Sequence, residues 1–548
     1  MDILERMEYR AAKENINPEE KKKILKKRYS ITAIIAVCII MLIIGLSYVA
    51  GSETIYFWDN STYWDICRNI LDGKLGADFW QKVFESIGTR DYNYVAALPS
   101  TVWMMIFGKS REAYVSGLIV MYLIPSVLLT YRLSRKLSKA PMFSFAAAVF
   151  AMPALMYITF LGFVDVGGVM LALIILNLYY GRDNKSDEFW RYPIIGCLLV
   201  LIMIFRRYYA FFAVSFLTAM AADCILFRRR WRNLVTVLIV SGGLLATVFH
   251  TFLVDVLLKD YGSLYSGYKY SIGTDMKLFG RYFGTIFIIL MLAVPFISGI
   301  KRKDFRPVFP WIQIVVCASM FMATQTHGQQ HLLLYVPSFI LLMILSVNCI
   351  SKHFTLIAVS VLTAANFLSV FIPRSQPNNI QEIKHLSAVP TFNIKSVKRD
   401  DVAQIFQLKR DIDSLVPDGA TCGVLASSFW LNDAVLRNVE PSLNEPVLRD
   451  STYIFGLPEV DSRDYYRLQE IYTTPYLLTA IPSQTHLAPG EQTIVDEAVT
   501  SFVMNTDIAQ IFEQISAWSI DGKEVRLYQR VNDMDSIRQR EYEARLFY

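Results

Sequence analysis

Charged side chains are scarce. Asp, Glu, Lys and Arg make up 19% of the 548 residues, where a soluble chain carries about a quarter. Hydrophobic residues make up 54% and the mean hydropathy is +0.35, so an ordinary soluble enzyme is not expected. Paired cysteines are missing as well. Cys38, Cys67, Cys197, Cys224, Cys317, Cys349 and Cys422 are scattered singly with no CxxC spacing. Most lie in apolar runs as small buried hydrophobes, which speaks against a zinc site or a disulfide scaffold. No zinc-finger, RNA-motif or helix-turn-helix pattern is present, so nucleic acid is not an expected partner. Internal repeats and low-complexity tracts are absent. Disorder is excluded by 35 Phe, 30 Tyr and 9 Trp, too much apolar mass to leave solvated.

The charges that do occur are unevenly placed. Residues 373–548 hold 17 Lys and Arg against 25 Asp and Glu, a net −8, which leaves +14 on residues 1–372. A basic, apolar segment of that kind carries membrane topology signals. Tyr29–Ala50 is an uncharged run long enough to cross a bilayer, which needs roughly 20 apolar residues. It follows Lys21, Lys22, Lys23, Lys26, Lys27 and Arg28, which should stay in the cytoplasm. A cleaved signal peptide is the alternative, but the run is long for one and many spans follow. Further spans are expected at 113–131, 142–162, 166–181, 192–205, 208–227, 234–258, 282–300, 308–326, 332–350 and 354–372, about eleven in all. Alternation then puts the basic loops 132–139, 182–191, 228–232, 301–306 and 351–353 inside, with an N-terminus in the cytoplasm and a C-terminus outside. Two outer segments break the rule: Arg206-Arg207, and the loop 259–281 with Lys259, Lys269, Lys277 and Arg281.

The expected division is a cytoplasmic segment 1–28, a membrane module 29–372 with an outer loop 51–112, and an extracytoplasmic α/β domain 373–548. The fold class is mainly α, a polytopic helical bundle with that C-terminal domain. An outer loop of about sixty residues is long enough to be functional. Within it, Tyr94–Phe107 is too short to span and reads as an interfacial or re-entrant helix. Trp80, Val83, Phe84 and Ile87 have the spacing of an amphipathic surface helix. In the tail, Val402, Ile405, Phe406 and Ile412 fit one helix face, and Ile508, Ile511, Phe512 and Ile515 fit another. Thr421–Ala426 reads as a buried strand, and Asp521-Gly522 as a hairpin turn before Val525–Val531.

Five polar features fall on the outer face. Asp59 lies in Tyr56-Phe57-Trp58-Asp59-Asn60-Ser61-Thr62-Tyr63-Trp64-Asp65, a carboxylate among aromatics placed to take a substrate proton. An aromatic interfacial belt is the plainer reading. Asp165 precedes the span at 166, where a charge is costly unless it faces a cavity or a partner, though Asp also suits a helix N-terminus. Arg206-Arg207-Tyr208-Tyr209 could hold a phosphate or snorkel to head groups. His327 and His331 sit in Gln325–His331, where they could donate to an anion or serve a structural role at the membrane edge. Tyr261, Tyr265, Tyr268 and Tyr270 with Lys259 and Lys269 suit sugar stacking or phosphate contact, with an interfacial aromatic belt as the plainer reading. Asn60-Ser61-Thr62 matches a glycosylation sequon, and a glycan there would block the site.

The chain resembles the glycosyltransferase C superfamily, with the protein mannosyltransferase-like and lipid A aminoarabinose transferase-like enzymes as nearest cousins. Three elements within 29–372 carry the resemblance: Asp59-x-x-x-Tyr63, juxtamembrane helices that end in Ile106-Phe107-Gly108, and Asp165 at the outer start of the fourth span. Where many relatives have Lys-Pro-Pro or Pro-Pro, this chain has Tyr92-Asn93-Tyr94 and only Pro99 later. The resemblance implies an inverting transferase in a bacterial plasma membrane. It would move a sugar from a polyprenyl-phosphate donor to a cell-envelope glycan, lipid or protein. It makes Asp59 the general base and gives Asp165 an orienting catalytic role. Tyr63, Arg206, Arg207, Tyr265, Tyr268, His327 and His331 become substrate contacts, with Arg206, Arg207 and His331 opposite the base at the leaving phosphate. It leaves a divalent cation open and assigns no metal ligand. The competing readings are a transporter or flippase of lipid-linked substrates, for which His250 and Asp223 are the few mid-span ionisable residues, with Asp255 near a span end, and a non-catalytic membrane scaffold.

Overall fold

The computed structural model describes residues 18–181, 189–227, 230–348, 352–374, 380–440, 448–464 and 468–547. Residues 1–17, most of the expected loop 182–191, Arg228-Arg229, Cys349, residue 351 and the linker residues 375–379 lie outside the described residues.

The chain is mainly helical, with many apolar helices and a C-terminal sheet. Pro18–Ala50 is one helix of 33 residues. Ile31, Ile35, Ile39 and Ile43 recur every fourth residue along it and are all about half exposed, while Ile34, Met41 and Tyr48 turn inward. An outward isoleucine stripe on a helix that also packs inward is what a lipid-facing helix requires. By length and composition, Ile24–Ala50, Arg111–Leu137 and Arg207–Leu226 can each cross a membrane. Three bent helix pairs pass the same test together, making up to six among the described residues, and several shorter apolar helices accompany them.

The breaks have local causes. Pro153 lies between Pro141–Phe150 and Ala154–Phe160, which meet at 51°; a proline ring supplies no backbone N–H to carry a helix on. Ile119–Leu123 takes a π turn immediately before Pro125, a common way of absorbing a proline inside a continuous helix. Gly284 sits at φ 81° between Ile272–Phe283 and Thr285–Arg302, which meet at 96°.

The expected span 234–258 is not one straight helix. The chain turns by 93° between Trp231–Thr247 and His250–Leu258. The second piece lies against the outer-loop helix Phe79–Thr89, with Phe84 stacked on Phe249 at 5.8 Å. A Cβ on Gly88 would come within 2.5 Å of Thr251 Oγ1, so glycine permits this contact. Asp255 consequently joins the outer-loop polar groups. In Phe79–Thr89 itself, Val83 and Ile87 are buried while Trp80 and Phe84 are exposed. Leu98–Phe107 follows and ends at Gly108, with Met105, Ile106 and Phe107 exposed. Both helices show an apolar face to the outside, as interfacial helices do.

The sheet has the order β2-β1-β3-β5-β4, with β1 Cys422–Leu425, β2 Ile454–Gly456, β3 Tyr476–Ile481, β4 Phe512–Ile520 and β5 Lys523–Arg530. β2, β1 and β3 are parallel, and β5 pairs antiparallel with β3 and β4. The helix Val402–Leu415 forms where the spacing placed it and buries Ile405, Phe406 and Ile412. The Asp521-Gly522 turn takes positive φ at both residues, which suits a tight hairpin. The expected helix through Ile508–Ile515 does not form. Residues 507–511 make a short 3-10 turn and Phe512 begins β4, because the hairpin brings β5 alongside and the ladder outweighs the local helical spacing. Two apolar cores cover the two faces of this sheet.

The C-terminal domain sits on the end of the bundle that carries the loops 51–112 and 259–281. Glu53 bridges to Lys398, Arg68 Nη2 donates to Asn438 at 2.8 Å, and Ser462 Oγ donates to the Leu264 carbonyl at 3.3 Å.

Candidate active site

A cavity of about 1840 Å³ lies where the bundle, the two loops and the C-terminal domain meet. Asp59, Arg206, Arg207, Tyr265, Tyr268 and His331 all line it. Asp59 is in the first turn of the helix Trp58–Leu71. That helix starts abruptly, with Trp58 at φ 49°, a conformation costly for a side chain of this size. Asn60 donates to the Leu161 carbonyl at 3.4 Å and Ser61 is buried, so the sequon lies within a folded helix.

Asp59 is the centre of a hydrogen-bonded group. Tyr92 Oη donates to its Oδ1. Gln330 Nε2 donates to Oδ2 at 2.7 Å, and Arg206 Nη2 lies 3.5 Å from the same oxygen. A carboxylate has about four acceptor positions, so these three donors leave room for another, and the side chain is 23% exposed. Arg206 also donates through Nε to Asp165 Oδ1 at 2.8 Å. Asp165 further accepts from Tyr208 Oη, and its carbonyl accepts from Tyr209 Oη at 2.9 Å. Burial raises the Asp165 pKa, while Arg206 and the Tyr208 hydroxyl pull it down. The guanidinium occupies the space between the two carboxylates that a bridging cation would need. No group of three or more His, Cys, Asp or Glu is arranged to hold a metal among the described residues.

The adjacent arginines do not form one clamp. Arg206 is extended, at φ −150° and ψ 123°, and Arg207 begins a 3-10 turn, so their side chains diverge. Arg207 pairs with Asp255 and with Asp91 at 2.9 Å, and Lys259 reaches Asp91 at 3.0 Å. Its Nε is buried without a hydrogen-bond partner.

Tyr63 and Asp165 lie outside the cavity lining, and His327 lines it with its ring already engaged. Tyr63 is buried and sits below Arg206, its hydroxyl 3.4 Å from Nη1; one helical turn beyond Asp59 it points into the bundle. Asp165 is likewise buried beneath the cavity floor. His327 is clamped, with Nδ1 2.6 Å from Asp275 and Nε2 2.6 Å from Tyr335, so both ring nitrogens are spent on holding the loop.

His331 differs. Its Nδ1 accepts the Gly328 N–H at 2.9 Å, which places the proton on Nε2 as a donor. Burial, His327 and Arg206 lower its pKa, so it is a neutral donor. Tyr265 stacks on Tyr261 at 6.1 Å, and burial pushes its hydroxyl up to about 12. Tyr268 accepts from Arg463 Nη1 at 3.2 Å. Sequence reasoning missed Tyr92 and Gln330 as partners of Asp59. Both lie in segments it had singled out, Tyr92 where the proline pattern of the relatives is lost and Gln330 between the two histidines.

The fold matches solved structures. ArnT from Cupriavidus metallidurans bound to undecaprenyl phosphate superposes with a TM-score of 0.54 at 10% identity, over 91% of this chain and 97% of that one. The chain has the glycosyltransferase C fold. ArnT in the apo state gives 0.52 at 11% identity over the same shares. The archaeal oligosaccharyltransferase AglB from Archaeoglobus fulgidus, in complex with an inhibitory peptide and a dolichol-phosphate, superposes more loosely, at 0.41 and 10% identity over 81% of this chain and 69% of that one. No protein-family model matches the sequence, and no curated protein matches it by sequence.

Proposed function

We propose that this chain is a membrane glycosyltransferase that moves a sugar from a polyprenyl-phosphate donor to an extracytoplasmic acceptor, with Asp59 as general base. The observation that carries the reading is the Asp59 carboxylate itself. It opens into a large cavity, is oriented by Tyr92, Gln330 and Arg206, and retains an acceptor position. The fold is that of an enzyme crystallised with undecaprenyl phosphate.

In the reaction, the acceptor hydroxyl gives its proton to Asp59 as its oxygen bonds to the anomeric carbon. The bond from that carbon to the phosphate oxygen breaks, and polyprenyl phosphate departs from the opposite face with inversion. The transition state has oxocarbenium character. Charge grows on the leaving phosphate, so donors there lower the barrier. Arg206, Arg207 and the Nε2–H of His331 are the groups proposed for it, with Tyr265 and Tyr268 against the sugar. Asp165 acts as a positioning residue that fixes Arg206 and Tyr208. About eleven spans, with the N-terminus cytoplasmic and the C-terminal domain outside, complete the proposal.

The test uses membranes containing the wild type or Asp59→Asn, supplied with a panel of radiolabelled polyprenyl-phosphate sugars. Loss of label from the lipid that depends on Asp59 is the expected result. Equal loss with both proteins defeats the assignment of the base.

A further inference from the structure

In an open α/β sheet, ligands bind at the carboxyl ends of parallel strands, in the crevice where successive connections leave to opposite sides. In the order β2-β1-β3-β5-β4, β1 is followed by β2 on one side, whereas β3 leads to the β4–β5 pair on the other. The crevice therefore lies between the carboxyl ends of β1 and β3. Ser427 follows β1, Glu459 follows β2 and His486 follows β3.

These three residues converge. Ser427 Oγ donates to Glu459 Oε2 at 3.1 Å and lies 3.1 Å from His486 Nδ1. The Ser427 carbonyl is 2.8 Å from the same nitrogen. A carbonyl only accepts, so Nδ1 carries the proton. Arg463 Nη2 lies 3.5 Å from Glu459. The crevice opens into the cavity of Asp59, because Glu459, Arg463 and His486 line that cavity too. The residue joining the two sites is Trp58, next to Asp59 in sequence. Its ring is 4.4 Å from the His486 ring and 5.1 Å from Phe429, and Tyr268 closes the other side of His486 at 6.3 Å.

We infer that the strand-end crevice of the C-terminal domain is a carbohydrate subsite that holds the acceptor. A sugar ring lies against Trp58 and Phe429 where they face the cavity, and its hydroxyls bond to Glu459 and Arg463. Aromatic walls with a few convergent polar groups are the usual form of a small-ligand site, and paired donor and acceptor side chains match hydroxyls. Burial pushes Glu459 up to about 7, so near neutral pH it can donate as well as accept. A neutral sugar fits this better than a phosphate, because the cations here are already committed, Arg437 to Asp433 at 2.8 Å and Arg463 to Asp464 at 2.9 Å. The role as acceptor site rests on the proposed transferase function; carbohydrate binding does not.

The full chain, purified in detergent and fluorescently labelled, is applied to an array of neutral, amino-sugar and acidic oligosaccharides. Retention on neutral sugars is expected for the wild type. Glu459→Ala and Phe429→Ala should each lower it about tenfold, equivalent to about 1.4 kcal/mol, with melting temperatures checked so that unfolded protein is not scored. No retention above the detergent background overturns the inference, as does retention unchanged in both variants. If Asp59→Asn still transfers sugar from lipid while the array result holds, the base assignment fails and the subsite stands. If transfer depends on Asp59 and the array shows nothing, the subsite alone fails.

Discussion

Arg206 Nε donates to Asp165 Oδ1 at 2.8 Å, and the two side chains are 6% and 1% exposed. A pair buried to this degree is expensive to break from one side, because the remaining charge has no water to turn to. Asp165→Asn is therefore expected to cost about 3–5 kcal/mol and to lower the melting temperature in detergent. It should also reduce turnover, since Arg206 reaches Asp59 as well. The double variant Asp165→Asn with Arg206→Met should recover stability without recovering turnover. Recovery of both would show that the pair has no part in positioning.

Asp59→Asn keeps an oxygen for Gln330 or Tyr92 and removes the basic site. Turnover of a lipid-linked sugar should fall by about 10²–10⁴-fold, with little change in melting temperature. Gln330→Ala should act in the same direction but more weakly, because it removes one of the three donors that orient the carboxylate.

His327 gives a contrasting result. Asp275 is 2% exposed and accepts from both the His327 backbone N–H, at 2.9 Å, and its ring. His327→Ala should cost about 1–3 kcal/mol for the buried group left short of a partner, with the KM for the donor unchanged. A raised donor KM at unchanged stability would return this histidine to the substrate.

The crevice sets a pH response with two limbs. Burial raises Glu459 from 4.5 to about 7, so between these values the unfolded chain has released a proton that the folded chain keeps. Stability then falls as pH rises through that window. His486 is lowered from 6.5 to about 4, chiefly by burial, so the unfolded chain binds the extra proton and stability falls as pH drops from 6.5 towards 4. The two windows overlap and their slopes oppose, so between about 4.5 and 6.5 the two contributions nearly cancel and the wild-type melting temperature should change little with pH on their account. Glu459→Gln should unmask the His486 limb, so that stability rises with pH up to about 6.5, and His486→Gln should unmask the Glu459 limb, so that stability falls from about pH 4.5 towards 7, measured by scanning fluorimetry of the full chain.

How much was legible in the sequence varied with distance along the chain. The apolar helices, the surface pair ahead of Gly108, the helix at 402–415 and the turn at Asp521-Gly522 came from local patterns, and they form. The helix expected through Ile508–Ile515 failed because its residues belong to a ladder whose other strand, β5, lies beyond the turn. The stretch 234–258 bends for a similar reason. His250–Leu258 is apolar enough to continue, but it finds Phe84 and Gly88 on a helix more than a hundred residues earlier.

The sequence by itself determined that the chain is a membrane-embedded helical protein, and that Asp59, Asp165, Arg206, Arg207 and the two histidines sit near the ends of apolar runs. Hydropathy and charge are local, and a bilayer reads them locally. Only the tertiary structure decided what these groups do to one another. It set Arg206 between Asp59 and Asp165, which lie 147 and 41 residues away, and brought Gln330 to Asp59 across 271 residues. It sent Arg207 to a separate cluster and spent His327 on Asp275. Hydrogen bonds need partners within about 3 Å, and which side chains come that close is settled by how the helices and the sheet pack, which no local pattern records.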